Sequence, residues 1–190
     1  MRWTVFFILA YLLIGLQTSL APLLRIDFVA PNLLMILAVY IALHTSGTTA
    51  SYACLLLGLA VDLTTPYPLA DGVRDAAILG PNMIGFVFGG WIVLQLRNLV
   101  YRDSPVGIAV VVFLAGVFIH LFCTVLLTVR GLPWLLNQPI PNWSAADELV
   151  RRFFELLYTA GVAIPLGYFF SKLCPVFRFE PQSTKAYVKR

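Results

Sequence analysis

Residues 28–61 read FVAPNLLMILAVYIALHTSGTTASYACLLLGLAV and contain no Asp, Glu, Lys or Arg. Two apolar runs, 28–44 and 49–61, flank the small polar turn 45–48, and the carboxylate of Asp62 follows the second run. A stretch of this length without charge is typical of helices in lipid, because a charged side chain is costly in hydrocarbon. The pattern predicts a membrane-embedded helical hairpin that is closed by Asp62.

The rest of the chain has the same membrane character. Of its 190 residues, 60% are hydrophobic and 12% are charged, and the mean hydropathy is +0.87. A helix needs about 20 residues to cross about 30 Å of hydrocarbon. Six runs approach that length and predict an all-α integral membrane protein, a compact bundle of about six transmembrane helices: 3–24, 28–44, 49–65, 78–100, 105–129 and 152–171. The second and third runs are short, so they either thin the bilayer or lie inside neighbouring protein.

The segments outside these runs are too short for a soluble domain. The longest, residues 130–151, has 22 residues, whereas a folded domain usually has about 50 or more. We therefore expect one membrane domain, 1–190, with a basic tail at 172–190. No hydrolase motif, phosphate-binding loop or Cys/His metal-ligand spacing occurs, which predicts a protein that is not an enzyme and holds no cofactor or metal.

Lys and Arg near the span ends predict the orientation. With the N-terminus inside, eight of the 13 lie on the inner side and five on the outer side. Both termini are therefore expected in the cytoplasm. The first helix is expected to be retained, because Pro22 would directly follow the cleavage site of a signal peptide. The net charge of +4 mainly reflects this orientation, so we expect contact with membrane lipid and none with nucleic acid.

Two helices carry small residues at helical spacing, and a third carries a histidine. Cys54, Gly58 and Asp62 lie four residues apart on one face of the third helix, where small residues allow close helix packing. Gly85 and Gly89 have GxxxG spacing, which favours packing inside the bundle over dimerisation. His120 lies well inside the fifth run. An ionisable residue at this depth is interpreted either as a neutral imidazole that is hydrogen-bonded to another helix or as a proton relay.

The long outer loop, residues 130–151, is the candidate surface for binding a partner protein. Trp134 and Trp143 suit the headgroup level of a membrane, and Arg151 and Arg152 stand at the mouth of the last helix. The sequence 144–147, SAAD, is a capping signal for the start of that helix. The loop is interpreted equally well as a binding surface for another protein or as an interfacial anchor.

Residues 31–43, PNLLMILAVYIAL, followed by 58–63, GLAVDL, resemble the rod shape-determining protein MreD family. That family has a P-x-L start, a tyrosine in the same helix, a small polar turn and then G-L-x-x-D-L. Pro31, Tyr40, Gly58 and Asp62 match this motif. The resemblance implies a six-span fold similar to the substrate-binding subunits of energy-coupling-factor transporters.

The resemblance also implies a function in bacterial cell elongation. It predicts a multi-pass protein of the bacterial inner membrane, a non-enzymatic scaffold that binds an MreC-like protein and, through it, MreB, RodA and a transpeptidase that builds side-wall peptidoglycan. Two alternatives remain open. One is a vitamin-binding subunit of an energy-coupling-factor transporter, which has a similar size and span count. The other is a proton-coupled carrier that uses His120 or Asp62.

Overall fold

In the computed structural model the described residues are 2–20, 29–68, 75–98, 104–130 and 144–177. Within them the chain forms a compact all-α bundle of six helices, with one short hairpin between the third and the fourth. The helices are α1 (Trp3–Leu20), α2 (Leu33–His44), α3 (Gly47–Thr64), α4 (Pro81–Leu96), α5 (Pro105–Arg130) and α6 (Ala145–Phe177). The hairpin strands are β1 (Pro66–Pro68) and β2 (Asp75–Ala77), which pair antiparallel.

The second helix forms the centre of the bundle. All side chains from Leu33 to Leu43 are buried, and α2 contacts each of the other five helices. Its 12 residues are therefore sheltered by protein, which is one of the two possibilities predicted for this short run. Asn32 is the N-cap of α2, and Pro31 directly precedes the cap.

Three helices, α3, α5 and α6, are long and apolar enough to cross a membrane, and they suggest an integral membrane protein. The described apolar parts of α1, α2 and α4 are shorter. The six spans predicted from the sequence therefore have six helices as counterparts, but with different lengths. The end of the first predicted span, 21–24, and the end of the fourth, 99–100, lie outside the described residues.

The last helix begins where the capping signal of residues 144–147 predicted, seven residues before the apolar run 152–171. It starts at Ala145, and Ser144 caps it by accepting a hydrogen bond from the Asp147 backbone nitrogen at 3.3 Å. It then continues without interruption through Pro165 for 33 residues, about 50 Å at 1.5 Å per residue. Arg151 and Arg152 consequently lie in the second turn of the helix and not at its mouth.

The segment between α3 and α4 contains the two strands. Pro66 pairs with Ala77 and Pro68 with Asp75, so the hairpin returns the chain towards the end of α3. Gly80 then adopts a φ of 122°, which L side chains rarely adopt, and Pro81 opens α4. These residues explain why α4 starts at residue 81 and not at 78, and they place its first turn beside the last turns of α3.

Candidate functional site

The carboxylate of Asp62 joins the end of α3 to the start of α4. Its Oδ2 accepts hydrogen bonds from the backbone nitrogens of Gly80 and Met83 at 2.8 and 3.2 Å. Its Oδ1 accepts from the backbone and side-chain nitrogens of Asn82 at 3.1 and 2.9 Å. The first N–H groups of a helix have no partner within it, and the N-cap residue Gly80 has no side chain to supply one. The buried Asp62 takes that role from another helix, with its negative charge at the positive end of the α4 dipole.

Gly58 sets the distance that these hydrogen bonds require. It lies one helical turn before Asp62, and a Cβ atom there would be 2.5 Å from the carbonyl oxygen of Asn82 and 2.7 Å from the Cα atom of Met83. Backbone atoms cannot move aside as a flexible side-chain tip can. Only glycine therefore allows α3 and the first turn of α4 to approach this closely.

The glycines of the GxxxG pair lie against α5. A Cβ atom on Gly85 would be 2.7 Å from the sulfur of Cys123, and one on Gly89 would overlap the side chain of Ile119. The spacing therefore serves packing inside the bundle. Cys123 also donates a hydrogen bond to the Pro81 carbonyl oxygen at 3.1 Å and lies 3.4 Å from Asn82 Oδ1, so α3, α4 and α5 meet at one level.

A second polar cluster lies between α5 and α6. Glu148 Oε1 accepts hydrogen bonds from Arg151 Nη2 at 2.6 Å and from Arg152 Nε at 2.7 Å, and its Oε2 accepts from Arg151 Nε at 3.0 Å. Nη1 of Arg152 lies 3.1 Å from Nδ1 of His120. Spacings of three and four residues place the three α6 side chains on one helix face, so a single carboxylate holds two guanidinium groups.

His120 thus has a cation as its partner. Because arginine only donates hydrogen bonds, Nδ1 of His120 must accept, and the imidazole is neutral with its proton on Nε2. A doubly protonated ring would place two donors and two positive charges face to face. Of the two interpretations of His120, the geometry favours the hydrogen-bonded neutral imidazole over the proton relay.

The start of α2 is anchored to α6. The hydroxyl of Thr159, which is fully buried, accepts a hydrogen bond from the backbone nitrogen of Asn32 at 3.0 Å and donates to the Glu155 carbonyl oxygen at 2.7 Å. The Asn32 side chain caps α2 by accepting a hydrogen bond from the Met35 backbone nitrogen at 3.0 Å. On α1, Gln17 Oε1 accepts hydrogen bonds from the backbone nitrogens of Leu33 and Leu34, the first two residues of α2, at 3.1 and 3.4 Å.

Together these contacts form what we call the polar layer, at the end of the bundle where α3 ends and α2 and α4 begin. Its two clusters meet on α5, where three residues, about 4.5 Å along the axis, separate His120 from Cys123. Each helix supplies at least one member: Gln17, Asn32, Asp62, Asn82, His120, Cys123, Glu148, Arg152, Glu155 and Thr159. Among the described residues no group of three or more His, Cys, Asp or Glu side chains could hold a metal ion.

Tyr40 acts at a different place. Its hydroxyl donates a hydrogen bond to the backbone carbonyl oxygen of Phe170 at 2.8 Å, and its ring lies 4.4 Å from that of His44 and 5.2 Å from that of Phe170. The side chain is fully buried. Of the four motif residues, Gly58 and Asp62 therefore join α3 to α4, Tyr40 joins α2 to α6, and Pro31 is buried just before α2.

The four residues of the candidate partner surface differ in what the structure shows for them. Trp134 and Trp143 lie outside the described residues. The side chain of Arg151 is 43% exposed, whereas that of Arg152 is only 6% exposed and turns towards α5. Arg151 is thus accessible to a partner, and Arg152 belongs to the polar layer.

Several members of the polar layer were not singled out from the sequence. Glu148, Glu155 and Thr159 follow one another at intervals of seven and four residues around Arg152, a spacing that places polar groups on one face of α6. That signal is missed if only the apolar run 152–171 is considered, because Glu148 lies before it. Asn82 offered no comparable signal, because its role depends on the neighbouring helices α3 and α5.

Comparison of the chain with known proteins gives no match to a family model, to a curated protein or to a solved structure.

Proposed function

We propose that this chain is a non-enzymatic membrane scaffold of the bacterial cell-elongation complex. In this proposal it spans the inner membrane with both termini in the cytoplasm and binds an MreC-like protein. Through that protein it connects MreB to RodA and to a transpeptidase of side-wall peptidoglycan synthesis. The proposal starts from the resemblance of residues 31–43 and 58–63 to the MreD family.

The observation that carries the proposal is the junction made by the motif residues Gly58 and Asp62. A scaffold has to present a fixed surface, and a buried carboxylate with four hydrogen bonds to one helix start fixes the angle between α3 and α4. The polar groups of the layer are engaged mostly with helix ends and with one another. This use of polar side chains suits a scaffold better than a carrier, which presents polar groups to its cargo at the membrane midplane.

Co-purification from membranes tests the proposal. The tagged chain, expressed in a rod-shaped bacterium and extracted in mild detergent, is expected to bring down the MreC-like protein and RodA. The variant Gly58→Leu is expected to lose both, because the α3–α4 junction cannot close. Gly15→Leu is the matched control, since a Cβ atom at Gly15 meets nothing within 4 Å.

The same experiment separates the proposal from its alternatives. Transporter ATPases in the eluate, with a small molecule retained by the purified protein, would identify a vitamin-binding subunit instead. An unchanged cell width after depletion, with normal localisation of the MreC-like protein, would also refute the scaffold function.

A further inference from the structure

Four neighbouring helices of the bundle differ strongly in length. The helices α3 and α4 contact each other and have 18 and 16 residues, about 27 and 24 Å at 1.5 Å per residue. The helices α5 and α6 also contact each other and have 26 and 33 residues, about 39 and 50 Å. Because α4 also contacts α5, a short side of the bundle lies directly beside a long one.

The extra length lies at the end of the bundle that carries the polar layer. Cys123 donates a hydrogen bond to the Pro81 carbonyl oxygen at 3.1 Å, so it marks on α5 the level at which α4 begins. From this level α5 continues for seven residues, about 10 Å, whereas α3 ends two residues after Asp62. The first turn of α6 accompanies the end of α5, since Ala145 and Thr128 line one groove. These turns therefore project about 7–10 Å beyond α3 and α4.

The exposed apolar side chains show the same difference. On α5 they extend from Val106 to Val129, about 35 Å, with no Asp, Glu, Lys or Arg between them. This length crosses about 30 Å of hydrocarbon at a tilt within the usual range. On α3 they extend only from Tyr52 to Leu63, about 17 Å. A flat bilayer of uniform thickness cannot match both helices.

The hairpin of β1 and β2 limits the hydrocarbon on the short side. It follows α3 directly, and among the described residues its sheet has two strands, so each strand has one edge whose backbone groups lack a ladder partner. Such edges do not occur exposed to lipid, because a backbone N–H or C=O group without a hydrogen bond is costly in hydrocarbon. The boundary of the hydrocarbon on this side therefore lies at Thr64, the end of α3.

On the long side the boundary lies farther from the centre of the bundle. The projecting turns of α5 and α6 carry exposed apolar side chains: Val125, Val129, Leu149 and Val150. A boundary at the level of Thr64 would leave all four in water, against the hydrophobic effect. Arg151 is compatible with a place near the boundary, because it pairs with Glu148 and its long side chain can extend to the headgroups.

We propose that the α3–α4 face of the bundle is an interaction surface for a locally thinned bilayer, whose hydrocarbon boundary beside the polar layer lies about 7–10 Å lower than at α5 and α6. The lipids that fit this face are phospholipids with short acyl chains. Thinning costs a small free energy for each ångström of mismatch, whereas every unpaired backbone group in hydrocarbon costs several times more. The inference does not depend on the scaffold function, since it uses only helix lengths and exposed side chains.

Two spin labels at the same level of the bundle test the proposal. One replaces Leu63, one residue beyond Asp62, and the other replaces Val125, two residues beyond Cys123; the two side chains are 58% and 52% exposed. Cys54 and Cys123 are buried and do not compete for the label, and Cys174 is replaced by alanine. The full-length chain is placed, one copy per nanodisc, in dioleoyl phosphatidylcholine. The depth of each label follows from its accessibility to oxygen and to a water-soluble nickel chelate.

The label at residue 125 is expected about 6 Å deeper in hydrocarbon than the label at residue 63. This shift follows because the proposed boundary lies one residue beyond Leu63, at Thr64, but five residues beyond Val125, at Arg130. In the thinner dimyristoleoyl phosphatidylcholine the difference should shrink, and in the thicker dierucoyl lipid it should grow.

Labels in the middle of the same two helices are the matched control. Leu55 on α3 and Val117 on α5 are exposed to a similar extent, and both labels should lie deep in hydrocarbon, accessible to oxygen and not to nickel. Equal depths of the labels at residues 63 and 125 would overturn the proposal. A label at residue 63 that neither reagent reaches would also overturn it, because protein, such as a second copy of the chain, would then cover this face.

Discussion

Asp62 binds Asn82 twice, through the backbone nitrogen at 3.1 Å and the side-chain nitrogen at 2.9 Å. The amide of Asn82 is oriented by this contact, so its oxygen faces the thiol of Cys123 on α5. One buried pair thus fixes the positions of three helices. The stability of the bundle should therefore respond strongly to changes at this pair and weakly to changes of exposed acidic residues.

Asp62→Asn is expected to destabilise the protein by about 3 kcal/mol, because an amide NH₂ would face the nitrogens that the carboxylate now accepts from. The measurement is thermal unfolding in detergent micelles. Asp147→Asn is the control, since Asp147 is an exposed residue of the first turn of α6. Equal melting temperatures for the two variants would contradict the assigned role of Asp62.

Gly58→Ala is expected to lower the melting temperature, although alanine favours a helix by about 1 kcal/mol over glycine. The added Cβ atom would meet the backbone of Asn82 and Met83. Gly161→Ala makes the same chemical change in α6, where a Cβ atom meets nothing within 4 Å, and should leave stability unchanged or raise it. The prediction fails if both variants behave alike.

Tyr40→Phe removes the hydroxyl that binds the Phe170 carbonyl oxygen and keeps the ring. The expected loss is about 1 kcal/mol, the contribution of one buried neutral hydrogen bond. Tyr11→Phe, at a residue 78% exposed, provides the comparison in the same unfolding experiment. A loss no larger than that of Tyr11→Phe would show that the α2–α6 bond contributes nothing.

Glu148→Gln is expected to destabilise by about 1.5–3 kcal/mol, because it removes a carboxylate that is hydrogen-bonded to the buried Arg152. Arg151→Gln should cost less than about 1 kcal/mol, since Arg151 is 43% exposed and its ion pair is screened by solvent. Chemical unfolding of both variants in mixed micelles measures the difference. A larger loss of stability for Arg151→Gln than for Glu148→Gln would contradict this assignment of the exposed and the buried ion pair.

Reporter fusions test the orientation. A fluorescent protein joined after Arg190 should fold and fluoresce in the cytoplasm, whereas alkaline phosphatase joined there should be inactive. Alkaline phosphatase joined after Arg130, following five helices, should be active outside. Activity of the phosphatase at the C-terminus would reverse the predicted topology.

The sequence predicted the helices better than the layer that joins them. The uncharged residues 28–61 predicted a helical hairpin, and they form α2, the turn and most of α3. This prediction succeeded because the absence of charge and the spacing of small residues can be seen directly in the sequence. Ser144 likewise predicts the start of α6 by a local rule, the N-cap.

The partners of the polar groups could not be predicted in the same way. Asp62 acts as a cap only because the hairpin and the left-handed Gly80 bring α4 back beside α3. The pairing of His120 with Arg152 requires α5 and α6 to pack side by side with these two residues at the same level. Both contacts depend on how the helices pack in three dimensions, and a single sequence does not show which residues of different helices meet.

The burial of α2 has a consequence for biosynthesis. Its 12 residues rise about 18 Å, well below the thickness of the hydrocarbon, and none of its side chains from Leu33 to Leu43 reaches the surface of the bundle. A segment of this kind gains little from lipid by itself, and its packing against α1, α3 and α4 is completed only when α5 and α6 arrive. The early helices should therefore remain incompletely assembled, and open to the insertion machinery or to proteases, until translation has passed the last helix.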